Sequence, residues 1–479
     1  MSFNHNGPLT PFVQRRAGWG TGGSDMAVAE DAVGRFASSL KGDLIREGDA
    51  DYGEARKGWN AMVDRKPAMI ARCRATADVV NAVNFARYYG IPLSVRGGGH
   101  NVAGNAMCDD GLVIDLSLMK DVRVDPERRV ATAQGGATLR DLDLKTQAFG
   151  LATPGGIVSS TGIGGFTLGG GLGMLMRKYG LACDNLLGVE IVTADGRVLN
   201  ANARENPDLF WAVRGGGGNF GVVTSFEYRL HPLGKILFGP VIHPLERARD
   251  VLRFYRNFVE GAPDELTTDA ALLRGPDGSL VAAIVPAYSG PIEDGERVLR
   301  PLREFGPPVA DQIQPIAYMD HRALFDAYYP SGLRHYWKSS FLAELTDEAI
   351  DTIVRHFAQV RCPLPSVALE ALGGAVARVG RDETAFDHRD APFNVIITAS
   401  WTDPAEDAIH RAWARELWQA LQPYSTGGVY VNYLGAEKDE GRDRVQAAYG
   451  TKYDRLAVIK RNYDPDNLFR FNQNIRPGG

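Results

Sequence analysis

The spacing of apolar and polar positions divides the chain into a first stretch of short elements and a middle of longer ones. Val79, Val83 and Ala86 fall at i, i+4 and i+7, and Val80 widens the stripe, which predicts a helix over residues 77–89. Similar patterns predict helices over residues 27–44, 139–149 and 206–213. Short apolar runs predict strands at residues 91–95, 112–116, 129–134 and 222–230. Another is expected at 186–193, closed by the turn Ala194-Asp195-Gly196 and a return at 197–199. From 236 to 424 strands alternate with amphipathic helices. Strands are expected at 279–288 and at Phe393–Trp401. A helix is expected over 244–258, with Pro244 at a tolerated first position. Two more are expected over 347–359, capped by Thr346, and over 407–422. Residues up to about Met26 carry no such pattern and read as a poorly ordered arm.

Composition narrows the class. A chain of 479 residues exceeds the size of a single core, so two domains are expected. Apolar residues at 44% and charged residues at 23% suit an ordinary globular protein. The 58 acidic residues against 53 basic leave a net charge of −5, no footprint for nucleic acid or an anionic membrane. No apolar run approaches the ~18 residues of a membrane-spanning helix. Cys73, Cys108, Cys183 and Cys362 are far apart with no CxxC pair, which argues against a zinc site or redox dithiol, and no metal is expected. They suit a reducing compartment, with one disulfide left open. Arg15-Arg16 invites a twin-arginine export reading, but the following AGWGTGGSD is no apolar leader, so a cytoplasmic location is expected.

The 55 glycines are densest between Gly97 and Gly221. Arg96-Gly97-Gly98-Gly99-His100-Asn101 follows a short buried strand. Three glycines in succession let backbone N–H groups turn toward an anion such as a diphosphate. No Gly-Lys-Ser/Thr follows, and Val102-Ala103-Gly104-Asn105 opens no helix, so neither a phosphate-loop NTPase nor a nicotinamide Rossmann turn fits. A histidine beside such a cradle suggests contact with the cofactor itself. A second glycine block runs from Pro154-Gly155-Gly156 through Gly162 to Gly173 and on to Arg177-Lys178-Tyr179-Gly180. A third is Trp211-Ala212-Val213-Arg214 followed by Gly215 to Gly218 and Asn219-Phe220-Gly221. Near the end stand Tyr430-Val431-Asn432-Tyr433 and Tyr463-Asp464-Pro465-Asp466-Asn467-Leu468-Phe469.

In this order and spacing the four blocks resemble the berberine bridge enzyme-like branch of the vanillyl-alcohol oxidase flavoprotein superfamily, from about Pro67 to Pro477. The resemblance implies an α+β fold. A two-subdomain FAD-binding domain of the vanillyl-alcohol oxidase type would occupy 27–235 and return over 425–479. A substrate domain, an antiparallel sheet covered by helices, would occupy 236–424.

The resemblance also implies roles for residues. His100 would hold the flavin 8α-methyl group covalently, which a nucleophilic neutral imidazole can do. Some relatives add a cysteine link to flavin C6; here that position is Val158, and Cys183 lies well beyond it, so FAD is expected to be linked through His100 only. Doubly linked members often have open clefts, which weighs against an oligosaccharide substrate. Arg96, Gly97, Gly98, Gly99, Asn101 and Gly104 would cradle the diphosphate. Pro154, Gly155, Val158, Thr161, Gly162, Gly165, Gly169, Gly170 and Gly171 would line the flavin from the other side, with Gly221 and Val223 on the adenosine side. Close packing is the plainer account of some of these glycines, and Asp115 serves equally well as a brace for its strand.

Tyr430 and Asn432, at i and i+2 on an expected strand, would share one face. In this family such an element returns to the flavin, where Tyr430 could take the substrate proton. A phenol titrates near 10, so it would need electrostatic help, and a buried ring with a satisfied hydroxyl is the plainer alternative. Tyr336, in the aromatic stretch from Tyr328 to Lys338, is a further candidate, with His335 and Tyr433 behind it. On Phe393–Trp401, Asn394 and Ile396 face one way, and Asn394 could bind but not deprotonate. His388-Arg389 matches a family pair without a defined role. The expected activity is hydride transfer from a hydroxyl- or amine-bearing small molecule (sugar, alkaloid or secondary metabolite) to FAD, with O2 as acceptor giving H2O2. A dehydrogenase using another acceptor and a non-catalytic flavin-loaded binding protein are the alternatives. A monomer or homodimer is expected.

Overall fold

The computed structural model describes residues 28–435 and 441–478. The N-terminal arm, with Arg15-Arg16, lies outside the described residues. The first helix is shorter than its apolar pattern implies, spanning Glu30–Ser39 before Leu40 turns extended. Asp78 stops it: its carboxylate accepts from the backbone N–H of Lys41 (2.8 Å), Gly42 (3.2 Å) and Arg74 (2.8 Å). Gly42 presses on the next chain so closely that a Cβ would lie 1.8 Å from the Arg72 carbonyl oxygen. The chain therefore leaves as a strand, Asp43–Arg46, paired antiparallel with Met69–Arg72.

A four-stranded sheet follows, in the order Asp43–Arg46, Met69–Arg72, Leu112–Asp115, Leu93–Arg96, with the last three strands parallel. Helix Thr76–Tyr89 packs Val79, Ala82, Val83 and Ala86 onto the same apolar cluster and ends where Gly90 adopts a left-handed φ of 66°. A five-stranded antiparallel sheet lies beside it, with Val222–Arg229 between Val130–Gln134 and Leu186–Val192. Its core takes in the end of the chain: Val429, Val431, Leu456 and Ile475 share a cluster with Ile191 and Phe226. Within helix Tyr453–Tyr463, Lys460 is wholly buried and donates to Asn219 O (2.7 Å), Phe469 O (3.0 Å) and Asp464 Oδ2 (2.5 Å). Asp464 in turn accepts from the N–H groups of Leu468 (2.7 Å) and Phe469 (2.9 Å).

The middle of the chain builds a nine-stranded sheet. Leu272, Ile284, Leu369 and Ile397 face helices Ala248–Glu260, Asp347–Phe357 and Asp407–Ala420. The other face carries small residues, Ala271, Ala283 and Ala368, and looks toward the glycine loops. Pro244 does not open a helix: it closes strand Val241–Pro244 opposite Val281, and the helix starts at Ala248 after a turn. Thr346 caps Asp347–Phe357 as expected, its hydroxyl accepting from Ala349 N–H at 3.2 Å. Among the described residues no helix is long and apolar enough to cross a membrane. All four cysteines are buried free thiols.

Candidate functional site

A cavity of about 610 Å³ separates the glycine loops from the open face of the nine-stranded sheet. Gly97, Gly98, Gly99 and His100 enter it directly from strand Leu93–Arg96. Gly98 meets Gly162 back to back: a Cβ on either would lie 2.3 Å from the other's backbone nitrogen. This contact joins the two glycine blocks and tolerates no side chain. At Gly165 and Gly218 a Cβ would meet nothing within 4 Å, so a side chain there would project into the cavity. Asn101, Val158 and Thr161 also line it, as do Gly221 and Val223 at the far end.

Other expected cofactor residues stand behind the wall. Arg96 donates to Ala55 O at 2.6 Å. Gly104, at φ +76°, is pressed against Val63. Gly155 lies against the Arg322 guanidinium, beside Pro154. Gly169 abuts Asn432, Gly170 abuts Phe386 and Gly171 abuts Ala182, so this turn is built by packing. Asp115 braces its own strand end by accepting from Ser117 N–H at 2.9 Å. His388 hydrogen-bonds Ala447 O at 2.8 Å and Arg389 forms a buried ion pair with Asp184 at 2.6 Å, so that pair holds loops together.

His100 is tightly held. Its Nε2 is 2.8 Å from Ser160 Oγ and its Nδ1 3.5 Å from Thr161 Oγ1. Its ring stacks on Trp59 at 5.1 Å, and Trp59 stacks on His335 at 3.7 Å. Burial lowers the His100 pKa to about 4, opposed weakly by Asp326, so the imidazole is neutral near pH 7.

Tyr430 and Asn432 are not on a strand. Tyr433 N–H returns to Tyr430 O (2.9 Å), and Val431–Tyr433 forms a 3-10 turn after the extended Tyr430. The turn still brings the two side chains together: Asn432 Nδ2 donates to Tyr430 Oη at 2.7 Å and to Phe166 O at 3.0 Å. Tyr430 Oη also accepts from Gly171 N–H at 2.9 Å and Leu172 N–H at 3.3 Å. Burial pushes its pKa up against those donors. Both residues reach the cavity. Tyr336 does not: neighbouring side chains on a strand alternate, and while Trp337 faces the cavity, Tyr336 is buried in the core under the helices. Asn394 is wholly buried and donates to Glu370 Oε2 at 2.6 Å.

That bond leads to the residues the sequence did not single out. Glu370 on strand Leu364–Ala371 and Asp269 on strand Leu266–Arg274 are directly opposite each other, and both line the cavity. Tyr433 donates to Glu370 Oε1 at 2.8 Å. Burial raises both carboxyl pKa values, and for Asp269 the neighbouring Glu370 adds to the rise. The available signal was a single acid inside the apolar run Val367-Ala368-Leu369-Glu370-Ala371-Leu372. Trp59, Phe471 and Asn472 are further wall residues that carried no motif of their own, and Phe469, the last residue of the fourth block, joins them.

The cavity's composition suits FAD. Backbone N–H groups and glycines can meet a diphosphate, Phe226 and the strand Val222-Val223 offer an apolar wall, and His100 is linked through Trp59 to His335 of the sheet. Comparison with known proteins agrees. Residues 67–202 match the FAD binding domain family, and residues 429–476 match the family described as berberine and berberine like. The chain is 33% identical to an FAD-linked oxidoreductase of Dictyostelium discoideum, covering 94% of this chain and 98% of that one. It is also 33% identical to (R)-6-hydroxynicotine oxidase of Paenarthrobacter nicotinovorans, covering 92% and 98%. Among solved structures, 6-hydroxy-D-nicotine oxidase of Arthrobacter nicotinovorans superposes with a TM-score of 0.85 at 32% identity, over 92% of this chain and 99% of that one. A chitooligosaccharide oxidase superposes with a TM-score of 0.84 at 26% identity, over 94% and 100%. With its glycine cradle, its sheet-walled cavity and these relatives, the chain belongs to the berberine bridge enzyme-like family of FAD-linked oxidoreductases.

Proposed function

We propose that this enzyme is an oxidase acting on a hydroxyl- or amine-bearing small molecule, with FAD held by one covalent bond to His100. Bound FAD supplies the chemistry of hydride acceptance from a substrate carbon, its electrons then passing to O2 to give H2O2. The protein's part is to anchor, orient and move a proton. His100 is neutral and fixed by Ser160 and Trp59, which keeps a ring nitrogen nucleophilic. Val158 offers no thiolate on the cavity wall, and burial raises the Cys183 thiol, so a single link is the reading.

Glu370, rather than Tyr430, accepts the substrate proton in this reading. The observation that carries it is the Tyr433–Glu370 hydrogen bond of 2.8 Å at the cavity wall. Tyr433 and Asn394 fix the two carboxylate oxygens, and the raised pKa makes Glu370 a stronger base than an ordinary carboxylate. Tyr430 has three N–H groups directed at its hydroxyl and a raised pKa, which suits a wall that orients substrate.

The test is anaerobic incubation of purified enzyme with panels of alcohols, sugars and amines while flavin absorbance is followed, then admission of air and assay of H2O2. Bleaching followed by stoichiometric peroxide is the expected result. Bleaching without peroxide would replace O2 by another acceptor, and no bleaching with any class would defeat the enzymatic reading of this cavity.

A further inference from the structure

Like charges directly opposite each other on adjacent strands destabilise a sheet unless something compensates. Asp269 and Glu370 are such a pair, in register on neighbouring antiparallel strands, and both open onto the cavity. Glu370 has two hydrogen-bond donors, but both are neutral, Tyr433 and Asn394. Among the described residues no cation is among the groups that act on either carboxyl. The titratable groups around the pair are Tyr329, Tyr430 and Tyr433 on the cavity side and Tyr255 behind the sheet, all phenols held neutral by burial. Beside the two acids the wall is aromatic and aliphatic: Trp337, Tyr329, Tyr433, Ala271 and Ile396. Aromatic faces next to buried carboxylates form an environment that recognises organic cations.

We propose that the substrate is an organic cation, a protonated amine on an apolar body, seated against Asp269 and Glu370. This rests on the reading of the cavity as the substrate site and narrows its substrate class. Without the cation, burial raises both carboxyl pKa values and Glu370 adds to the rise at Asp269, which favours a proton on the pair. Entry of the cation replaces that proton, which leaves to solvent. The sign follows: lowering the pH lets the proton compete, so cation affinity falls as pH falls. A neutral ligand has no such dependence.

The probes are benzyltrimethylammonium, which cannot form an imine, and benzyl methyl ether, a neutral ligand of similar shape. Binding to the flavin-loaded enzyme is measured by calorimetry at pH 6 and pH 8, in two buffers of different ionisation enthalpy. The expected preference for the cation is about 100-fold at pH 8, the scale of charge-assisted contacts in a dry site. It should shrink at pH 6, and cation binding should release a proton. Asp269→Asn should bring the preference to within about tenfold. Asp269→Ser is the second variant, and flavin loading and melting temperature establish that either is folded. Equal affinity for the two probes, no detectable binding of the cation, or an unchanged preference in folded variants would each overturn the proposal. If a neutral alcohol or sugar bleaches the flavin anaerobically and amines do not, the substrate class is wrong while the oxidoreductase reading stands.

Discussion

Replacing Lys460 by methionine removes the ammonium group at the centre of the C-terminal latch while keeping most of the side-chain volume. Both Lys460 and Asp464 are fully buried, so the change strands a carboxylate away from water and leaves Asn219 O and Phe469 O without their donor. Breaking a buried ion pair from one side costs about 3–5 kcal/mol. Asp464 keeps the N–H groups of Leu468 and Phe469, which places the loss near the lower end, about 3 kcal/mol. For a unit of ~250 residues this is a fall of roughly 6 °C in melting temperature. Scanning calorimetry of the flavin-loaded protein measures it. The double variant Lys460→Met/Asp464→Asn removes the stranded charge and should recover part of the loss. The latch also sets Phe469 and Asn472 on the cavity wall, so the single variant should load flavin less completely. A loss under about 1 kcal/mol, or a double variant no better than the single, would refute this electrostatic account.

Denatured wild-type protein should retain its yellow fluorescent cofactor, and His100→Ala should release it; a flavin-bearing cysteine peptide in mass mapping would disprove the single link at His100. Glu370→Gln should slow anaerobic flavin reduction by about 10²–10⁴-fold. Because the reactive form is the carboxylate and its pKa is raised, wild-type reduction should rise with pH through a value above the ordinary ~4.3 of glutamate, and the glutamine variant should lose that rise. Tyr430→Phe keeps the ring but leaves the Gly171 and Leu172 N–H groups without their acceptor; if the hydroxyl orients substrate, stopped-flow reduction falls, whereas lowered stability with unchanged reduction would confine it to structure. Gly98→Ala should yield little soluble flavin-loaded protein, since its methyl group would sit 2.3 Å from Gly162 N; normal loading would contradict the close approach.

Much of the cofactor end was legible because backbone geometry leaves marks in sequence. Gly98 and Gly162 must lack side chains where two loops touch, and only glycine meets that demand. The substrate end was legible only in outline. Strand Arg334–Leu342 has both faces covered, and His335, Lys338, Ser339 and Ser340 are all buried, so no alternation announced it. Tyr336 looked as catalytic as its neighbours until the pleat turned it toward the helices. Asp269 and Glu370 are 101 positions apart, and only the register of Leu266–Arg274 against Leu364–Ala371 makes them a pair. Asp78 hid the end of the first helix for the same reason: the acid that stops it comes from 38 residues beyond Leu40.

The core that joins Val429, Leu456 and Ile475 to Ile191 and Phe226 has a consequence for biosynthesis. About 200 residues separate the two contributions, and at ribosomal speeds of about 5–20 residues per second the earlier half waits roughly 10–40 s for its partner. During that interval the five-stranded sheet has apolar surface with nothing to cover it, including the side that faces Leu456. The nine-stranded sheet, whose strands all fall between Ile236 and Trp401, can close first. Cofactor capture then waits for Phe469 and Asn472 of the cavity wall, which are made long after the glycine loops. Production yield should therefore depend on chaperone supply and on free FAD once these wall residues are in place more than on the stability of the finished fold.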